Sequence, residues 1–171
     1  METNDLLHYE SLWTIKHFRA GEILWEIRDK KNLIVEDGEK AILETFFRDK
    51  GTNYFGMTDF FVGLYNGSLA RTSVLTTVPG EPSGNGYARQ KIERTSVGFP
   101  VIEKDDGNWR VVSKELIVIA SGGTIGPVSG AFLCTSSDNT GTLIASLSFG
   151  VERTVQLGGE SLAIQLKIKI K

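Results

Sequence analysis

The sequence of 171 residues has few cysteines, histidines and prolines. Its single cysteine, Cys134, excludes an internal disulfide framework and a cysteine-rich zinc module, because both need several cysteines. Two histidines leave little material for a metal centre, so we expect no metal and no cofactor. No run approaches the roughly 20 apolar residues of a membrane helix, and the first residues lack the features of a signal peptide. We therefore expect no membrane partner.

The chain also has no large excess of charge of either sign, since 19 basic and 21 acidic residues give a formal net charge of −2. No dense basic stripe of the kind that lines a nucleic-acid groove is present, so we expect no nucleic-acid partner. Glycine, in contrast, is abundant, with 19 residues against 4 prolines. This excess over the usual share of roughly 7% favours short strands joined by turns.

Residues 1–11 are interpreted as an N-terminal arm. They carry small polar and acidic side chains and show no clear alternation. Terminal arms are usually disordered unless something holds them. Leu6, Leu7 and Tyr9 are apolar enough to dock, so the segment is either a frayed end or an arm that orders against a neighbouring subunit.

Residues 12–30 predict a hairpin. Two runs with apolar residues at every second position flank the turn signal Arg19-Ala20-Gly21. An isolated hairpin is marginal in water. Trp13 and Trp25 must therefore pack on the body of this domain or on another chain.

One short amphipathic helix is predicted over residues 37–50. Asp37 is the expected N-cap, and apolar residues recur at helical spacing up to a glycine, Gly51. Acidic residues near its start and basic residues near its end complement the helix dipole.

Residues 60–171 predict strands and turns, and Asp105-Asp106-Gly107-Asn108 is the strongest hairpin signal. Residues 68–86 form a long polar loop, a candidate contact surface. In the last run, leucine and isoleucine alternate with lysines, which is typical of a solvated edge strand, with contact to an acidic partner as the alternative. The strand candidates are residues 60–65, 87–99, 109–112, 115–120, 128–135, 143–149, 154–157 and 161–170.

These elements predict a mainly β fold. We expect an antiparallel β-sandwich or jelly-roll-like body with one short amphipathic helix, preceded by the N-terminal arm and hairpin. Residues 12–171 form a single domain in this interpretation, because no linker interrupts them.

No arrangement of residues indicates catalysis. The stretch at 121–126 is similar to the Gly-Gly-Thr-Ile segment of bacterial-type asparaginases, but a glycine-rich turn is the better interpretation because the α/β context is missing. Asp105 and Asp106 suit a turn, His17 a packed strand position and Cys134 a buried apolar position. Tyr87-Ala88-Arg89 places a polar aromatic side chain and a cation on one side of a strand, in a structural role or in an interface.

Six short motifs follow one another along the chain: residues 31–35 before a glycine and a helix, 61–64 with an aromatic-Val-Gly-Leu pattern, 87–89 after a glycine-rich loop, 126–133, 140–143 and 153–162. Their order resembles a family of small virion proteins of tailed bacteriophages, over about residues 12–170. The arm and the loop at 79–86 depart from the usual pattern. The resemblance implies a β-sandwich or jelly-roll body that assembles on a virion, with no catalytic residues to transfer.

The resemblance leads us to expect a capsid decoration, or cement, protein that is made in the host cytoplasm and stabilises the phage head. Its partners would be the major capsid protein and further copies of itself, with a trimer favoured and no small-molecule substrate. The alternative is a tail, baseplate or fibre-associated protein with a receptor contact in residues 68–86. A hydrolase or sugar-binding domain has no support in the residues. The interface candidates are Leu6, Leu7, Tyr9, Trp13, Trp25, Tyr87 and Arg89.

Overall fold

Antiparallel strands make up most of the chain in the computed structural model, which describes residues 9–47 and 59–170. A helix, α1 (Glu36–Phe47), and a single 3₁₀ turn (Leu75–Thr77) accompany them. The strands are β1 (Tyr9–Arg19), β2 (Glu22–Lys31), β3 (Leu33–Ile34), β4 (Asp59–Tyr65), β5 (Gln90–Glu93), β6 (Val101–Asp105), β7 (Asn108–Val112), β8 (Leu116–Ile119), β9 (Ile125–Cys134), β10 (Leu143–Val155) and β11 (Glu160–Ile170). The prediction of a mainly β protein with one short helix is confirmed.

Both predicted hairpins form, and each closes through two residues with positive φ. Ala20 and Gly21 have φ values of 50° and 87° between β1 and β2, and Asp106 and Gly107 have values of 50° and 78° between β6 and β7. Two left-handed residues give a turn whose twist matches that of the flanking strands, and Asp-Gly is a favoured pair for it. Local sequence therefore determines these two hairpins.

The predicted arm at residues 1–11 is too long, because β1 already begins at Tyr9. Tyr9 pairs with Ile170 and Ser11 with Ile168, in an unbroken antiparallel register with β11. Ser11 is buried. The strand extends to this point because β11 provides backbone partners along its whole length, which the weak alternation of residues 9–11 did not indicate.

The strands form two sheets. The first has the order β2-β1-β11-β7-β6, with β8 also paired to β11, and the second has the order β3-β10-β9-β4-β5. The interpretation of the last strand as a solvated edge is wrong, because β11 lies between β1 on one side and β7 and β8 on the other. One face of β11 buries Leu162, Ile164 and Leu166, which fixes it in the interior.

Some predicted strand limits change for reasons that are not local. Residues 143–149 and the first two residues of the predicted strand 154–157 belong to one continuous strand, β10, which ends at Val155. The run predicted at 87–99 gives only the four residues of β5. It stops there because the chain turns back: the Phe99 N–H donates to the Thr95 carbonyl, and Gly98 lies so close to the Glu93 backbone that a Cβ atom would clash.

Apolar side chains from both sheets share one core. Trp13 of β1 and Ile164 of β11 belong to the same buried cluster as Val62 of β4, Leu133 of β9 and Leu147 of β10. Each of these side chains is at most 5% exposed. Burial of large apolar side chains stabilises by roughly 1.5–3 kcal/mol each relative to exposure, so this shared core is the main attraction between the sheets.

A second buried cluster lies on β4 and β9, where aromatic rings cover glycines of the neighbouring strand. Gly63 pairs with Phe132 and Tyr65 with Gly130. A Cβ atom on Gly63 would lie 2.3 Å from the Phe132 ring, and one on Gly130 would lie 2.3 Å from the Tyr65 ring. The glycines are therefore required so that the rings can lie flat on the sheet. Leu75 and Val78 of the loop after β4 pack onto this cluster.

The helix begins one residue earlier than predicted, and Asp37 is not its N-cap. It starts at Glu36, and the Val35 carbonyl accepts the Glu39 N–H. Val35 is fixed in this position because its own N–H donates to Ile144 of β10. Gly38 then packs directly on the Ile144 backbone, where a Cβ atom would clash. The predicted end at 48–50 lies outside the described residues.

Candidate interaction surface

Of the three apolar residues of the predicted arm, only Tyr9 lies in the described part of the chain. Leu6 and Leu7 lie outside the described residues. Tyr9 is the first residue of β1, and its backbone pairs with Ile170 at the end of β11. The chain therefore enters the first sheet at the end where β11 finishes.

The two hairpin tryptophans pack on the body of their own chain. Trp13 is completely buried in the shared core, which removes it from the interface candidates. Trp25 is partly buried, with its ring 5.6 Å from that of Phe149. The guanidinium of Arg153 lies 4.3 Å from the centre of the Trp25 ring. Of the two, only Trp25 presents part of its surface to solvent.

Tyr87 and Arg89, the polar aromatic and cation pair, converge on one carboxylate. The Nε and Nη2 atoms of Arg89 donate to the two Glu81 oxygens at 2.8 and 2.7 Å, a bidentate ion pair. The Tyr87 hydroxyl donates to Glu81 at 3.0 Å and accepts the Leu64 N–H at 2.8 Å. The Arg89 side chain is only 4% exposed. The two side chains thus meet, although the residues precede β5 and do not lie on a strand as predicted.

The remaining Arg89 contacts tie three parts of the chain together. Its Nη1 atom donates to the carbonyls of Ser136 and Asp138, and the guanidinium lies 5.1 Å from the centre of the Phe132 ring. Burial raises the pKa of the neighbouring Cys134 thiol to about 11. With these contacts satisfied inside the chain, Arg89 holds the loop before β5 against the loop after β9.

His17 belongs to a buried ionic group at the turn end of β1. Its Nε2 atom lies 3.1 Å from a Glu160 carboxylate oxygen, and Arg19 Nε donates to the other oxygen at 2.7 Å. The Gln156 N–H donates to the same carboxylate at 2.9 Å. Burial alone would raise the pKa of Glu160, but these hydrogen bonds outweigh it, so the pKa lies below the ordinary value. His17 is therefore a packed strand residue, as predicted.

The outer face of the first sheet carries paired charges. Lys167 of β11 lies 2.6 Å from Asp29 of β2, and Lys169 lies 3.3 Å from Asp105 of β6. Arg110 of β7 also pairs with Asp105. Lys167 and Lys169 thus meet carboxylates of their own sheet. Lys169 is only 6% exposed.

The other motifs occupy turns and strand ends. Gly122 has a positive φ of 88° in the turn between β8 and β9, and Asp106 lies in the β6–β7 turn. Among the described residues, no group of three or more His, Cys, Asp or Glu side chains could hold a metal ion. Within the same ranges, no helix is long and apolar enough to cross a membrane.

An apolar cleft of about 470 Å³ is lined by residues of both sheets, from β4 of the second sheet and from β6, β7 and β11 of the first. The rings of Phe60 and Phe99 meet edge to face at 6.3 Å on one wall, and the Arg94 guanidinium lies 5.6 Å from the Phe60 ring centre. The opposite wall carries Ile102 and Val111. The full lining is Phe60, Arg94, Thr95, Ser96, Phe99, Ile102, Val111 and Ile168.

Large apolar side chains remain exposed beside this cleft. Ile102 is 70% exposed and Trp109 is 56% exposed. Both lie on the same face of the hairpin as Val111, because side chains alternate along a strand and the pairs are Ile102 with Val111 and Lys104 with Trp109. We call the cleft together with Ile102 and Trp109 the apolar surface.

Sequence analysis missed the apolar surface, although its signal was present. Ile102 and Lys104 are two residues apart on one strand, and Trp109 and Val111 are two residues apart on the next. Side chains two residues apart lie on the same face, so the predicted hairpin carries all four on one face. Whether that face is covered depends on how far the opposite sheet extends. Ile102 and Trp109 remain exposed in the folded chain, and local sequence does not reveal this.

The comparisons with known proteins add no family to this picture. The chain matches no protein-family model and no curated protein.

Proposed function

We propose that this protein is a structural component of a bacteriophage virion, and that it acts as a capsid decoration protein. It binds the major capsid protein and copies of itself by adhesion, without catalysis. The observation that carries the proposal is the apolar surface, where Ile102 and Trp109 are exposed beside an apolar cleft. Contiguous exposed apolar patches mark protein interaction sites in water-exposed proteins.

The motif order that resembles small phage virion proteins supports the same role. We further propose that the two sheets stack as a β-sandwich of the jelly-roll kind, since their side chains share one buried cluster. Such a body gives a rigid support on which an exposed hairpin keeps its position. The Arg89 contacts add to this rigidity, because they close two loops onto the second sheet.

Weak contacts are sufficient for a decoration protein. Burial of apolar surface contributes about 25 cal/mol per Å². When each copy of an oligomer binds an equivalent site on a closed symmetric shell, the contacts act together through high effective concentration. A small apolar surface therefore suffices for stable attachment, with the trimer as the favoured oligomer.

A tail, baseplate or fibre-associated role is the second candidate, and the long loop after β4 favours it. Its tip, residues 83–86, is exposed. Asn85 donates to the Thr124 carbonyl at 2.6 Å, which holds the tip beside the β8–β9 turn. A fixed, exposed loop is suited to contact with a receptor or glycan.

Copy number per particle distinguishes the two roles. We would purify virions, separate heads from tails, and quantify this chain against the major capsid protein by mass spectrometry. A copy number comparable to that of the capsid protein, in the head fraction, is the expected result. A few copies that travel with the tails would overturn the decoration role and favour the loop at 83–86. Absence from both fractions would overturn the virion role itself.

A further inference from the structure

A second cavity lies on the outer face of the second sheet, and we call it the polar trough. Its volume is about 380 Å³, and its lining includes Tyr65 of β4 and Ser146 and Ser148 of β10. The junction of β2 and β3 forms one wall, and residues 67–69 form another. Sites for small molecules usually have volumes of about 300–1,000 Å³, so the trough is large enough for a single small ligand.

The strand register places three hydroxyl groups of the lining on one face of the sheet. Tyr65 pairs with Gly130, and Gly130 pairs with Ser148, so Tyr65 and Ser148 point to the same side. Ser146 shares that side because it is two residues from Ser148, whereas Leu147 between them belongs to the shared core. A Cβ atom on Gly130 would lie 2.3 Å from the Tyr65 Cζ atom, so the Tyr65 hydroxyl is directed across β9 toward β10.

Two of these hydroxyl groups are buried without a hydrogen-bond partner. Tyr65 is 1% exposed and Ser146 is 3% exposed, yet neither hydroxyl makes a hydrogen bond within residues 9–47 and 59–170. Burial accordingly raises the pKa of Tyr65 above its ordinary value. Asn32, which also lines the trough, has a buried Nδ2 atom without a partner in the same ranges. Buried polar groups normally have partners, so a ligand with oxygen atoms would complete this site.

The polar trough also has a cation that is available to a ligand. Among the described residues, its lining contains Lys30 and Lys31 and no carboxylate. Lys31 pairs with Glu10 at 2.8 Å. Lys30 donates to the Ser148 carbonyl at 2.8 Å and has no carboxylate partner in the described part of the chain. An ammonium group has three donors, so Lys30 can also bind an anionic oxygen.

We propose that the polar trough binds a sugar acid of hexuronate size, that is, a six-membered ring with one carboxylate and several hydroxyl groups. The carboxylate pairs with Lys30 at the rim. The ring hydroxyls bond to Tyr65 and Ser146, whose own hydroxyls both donate and accept. Leu33, which pairs with Ser146, and Leu69 of the loop give apolar contact for the C–H groups of the ring.

Both walls of the trough are held in place without a ligand. The Gly67 N–H donates to the Ser129 hydroxyl at 2.8 Å, and that hydroxyl donates to the Gly67 carbonyl at 2.9 Å. On the other wall, the Asn32 N–H donates to the Ser11 carbonyl at 3.3 Å. A preformed site binds its ligand at a lower cost in ordering. The inference goes beyond the proposed function and does not rest on it, because the trough and the apolar cleft share no lining residue.

Titration of the purified full-length chain tests the class of ligand. The probes are glucuronate and galacturonate, which have a carboxylate and ring hydroxyls, glucose, which has only hydroxyls, and acetate, which has only a carboxylate. Two-dimensional NMR of ¹⁵N-labelled protein follows binding at the Gly67 backbone amide and the Asn32 side-chain amide. One hexuronate should bind at least about 10-fold more tightly than glucose or acetate, since each of these lacks one set of contacts.

The other outcomes would overturn the proposal. Binding of glucose as tight as that of the hexuronates would show that the charge is not recognised. Equal binding of acetate would show an adventitious anion only. No shift at Gly67 or Asn32 with either hexuronate would show that the trough is not a site for a sugar acid.

Two tyrosine variants separate the binding site from the fold. Tyr65→Phe removes a hydroxyl without a partner in the described chain, so it should weaken hexuronate binding and leave the melting temperature unchanged. Tyr87→Phe removes a hydroxyl that bonds to Glu81 and Leu64, so it should lower the melting temperature by several degrees and leave binding unchanged. If Tyr65→Phe lowers the melting temperature as much as Tyr87→Phe does, its hydroxyl has a structural role and the proposal is wrong.

A lysine pair tests the contact with the carboxylate. Lys30→Met should raise the dissociation constant for the hexuronate at least about 10-fold, because it removes the charge and keeps much of the aliphatic stem. Lys40→Met is the control, since Lys40 is exposed on α1 and does not line the trough. Equal dissociation constants for the two variants would overturn the assignment of Lys30.

Discussion

Replacement of Arg89 by methionine should destabilise the protein strongly. The change removes the bidentate ion pair with Glu81 and the donors to the Ser136 and Asp138 carbonyls, while methionine keeps contact with Phe132. Because the Arg89 side chain is only 4% exposed and the Glu81 side chain 22% exposed, water replaces only part of these hydrogen bonds. Breaking a buried ion pair by removal of one partner costs about 3–5 kcal/mol.

That loss is a large part of the free energy of unfolding, which is about 5–15 kcal/mol for a typical domain. At about 2–4 °C per kcal/mol for a chain of this size, the melting temperature should fall by about 10 °C. Urea unfolding followed by circular dichroism measures the change directly. A lower urea midpoint with an unchanged slope of free energy against urea would show that stability has fallen while the surface exposed on unfolding is the same.

Arg71→Met is the matched control. Arg71 pairs with Glu39 at 2.6 Å, but its side chain is 56% exposed. Exposed ion pairs contribute about 0–1 kcal/mol, so the control should lose no more than that. If Arg89→Met also loses less than about 1 kcal/mol, or if the two variants behave alike, then burial of the Arg89 ion pair does not stabilise the loops, and the reasoning is wrong.

Two further predictions concern titratable groups. The pKa of Glu160 lies below its ordinary value, so its stabilising contribution is present above about pH 4.5 and is lost as the pH falls through the folded-state pKa. In acid unfolding, the Glu160→Gln variant should therefore lose less stability than the wild type between pH 5 and about pH 2. An identical slope in the two proteins would contradict this. Cys134, with a pKa raised to about 11 by burial, should resist iodoacetamide at pH 8 in the native state and react after unfolding, as read by intact mass. Rapid alkylation of the native protein would argue against a buried thiol.

Sequence patterns predicted the features that depend on neighbours along the chain. The two hairpin turns follow from residues that adopt positive φ, such as Gly21 and Gly107. The helix follows from apolar spacing, but its first residue is set by Val35, whose N–H is fixed by β10. A cap chosen from side-chain preference alone placed the start one residue too late.

The position of β11 shows where such patterns fail. Its alternating lysines match those of an edge strand, yet Lys167 and Lys169 pair with carboxylates on β2 and β6. These partners are more than 60 residues away in sequence. The cost of a lysine in a central strand depends on whether a carboxylate lies across the sheet, and that is a property of the topology.

The two faces of the first sheet differ in how favourably a partner could bind them. The outer face is charged, and the inner face is apolar. On the outer face, ion pairs such as Lys167 with Asp29 satisfy the charges within the sheet, so desolvation there would gain little. On the inner face, Ile102 and Trp109 remain exposed, so their burial by a partner gains apolar contact. A partner should therefore approach the hairpin from the side of the cleft. For the same reason, Trp109→Ser should weaken association by more than it lowers the stability of the isolated chain, in which the ring is 56% exposed.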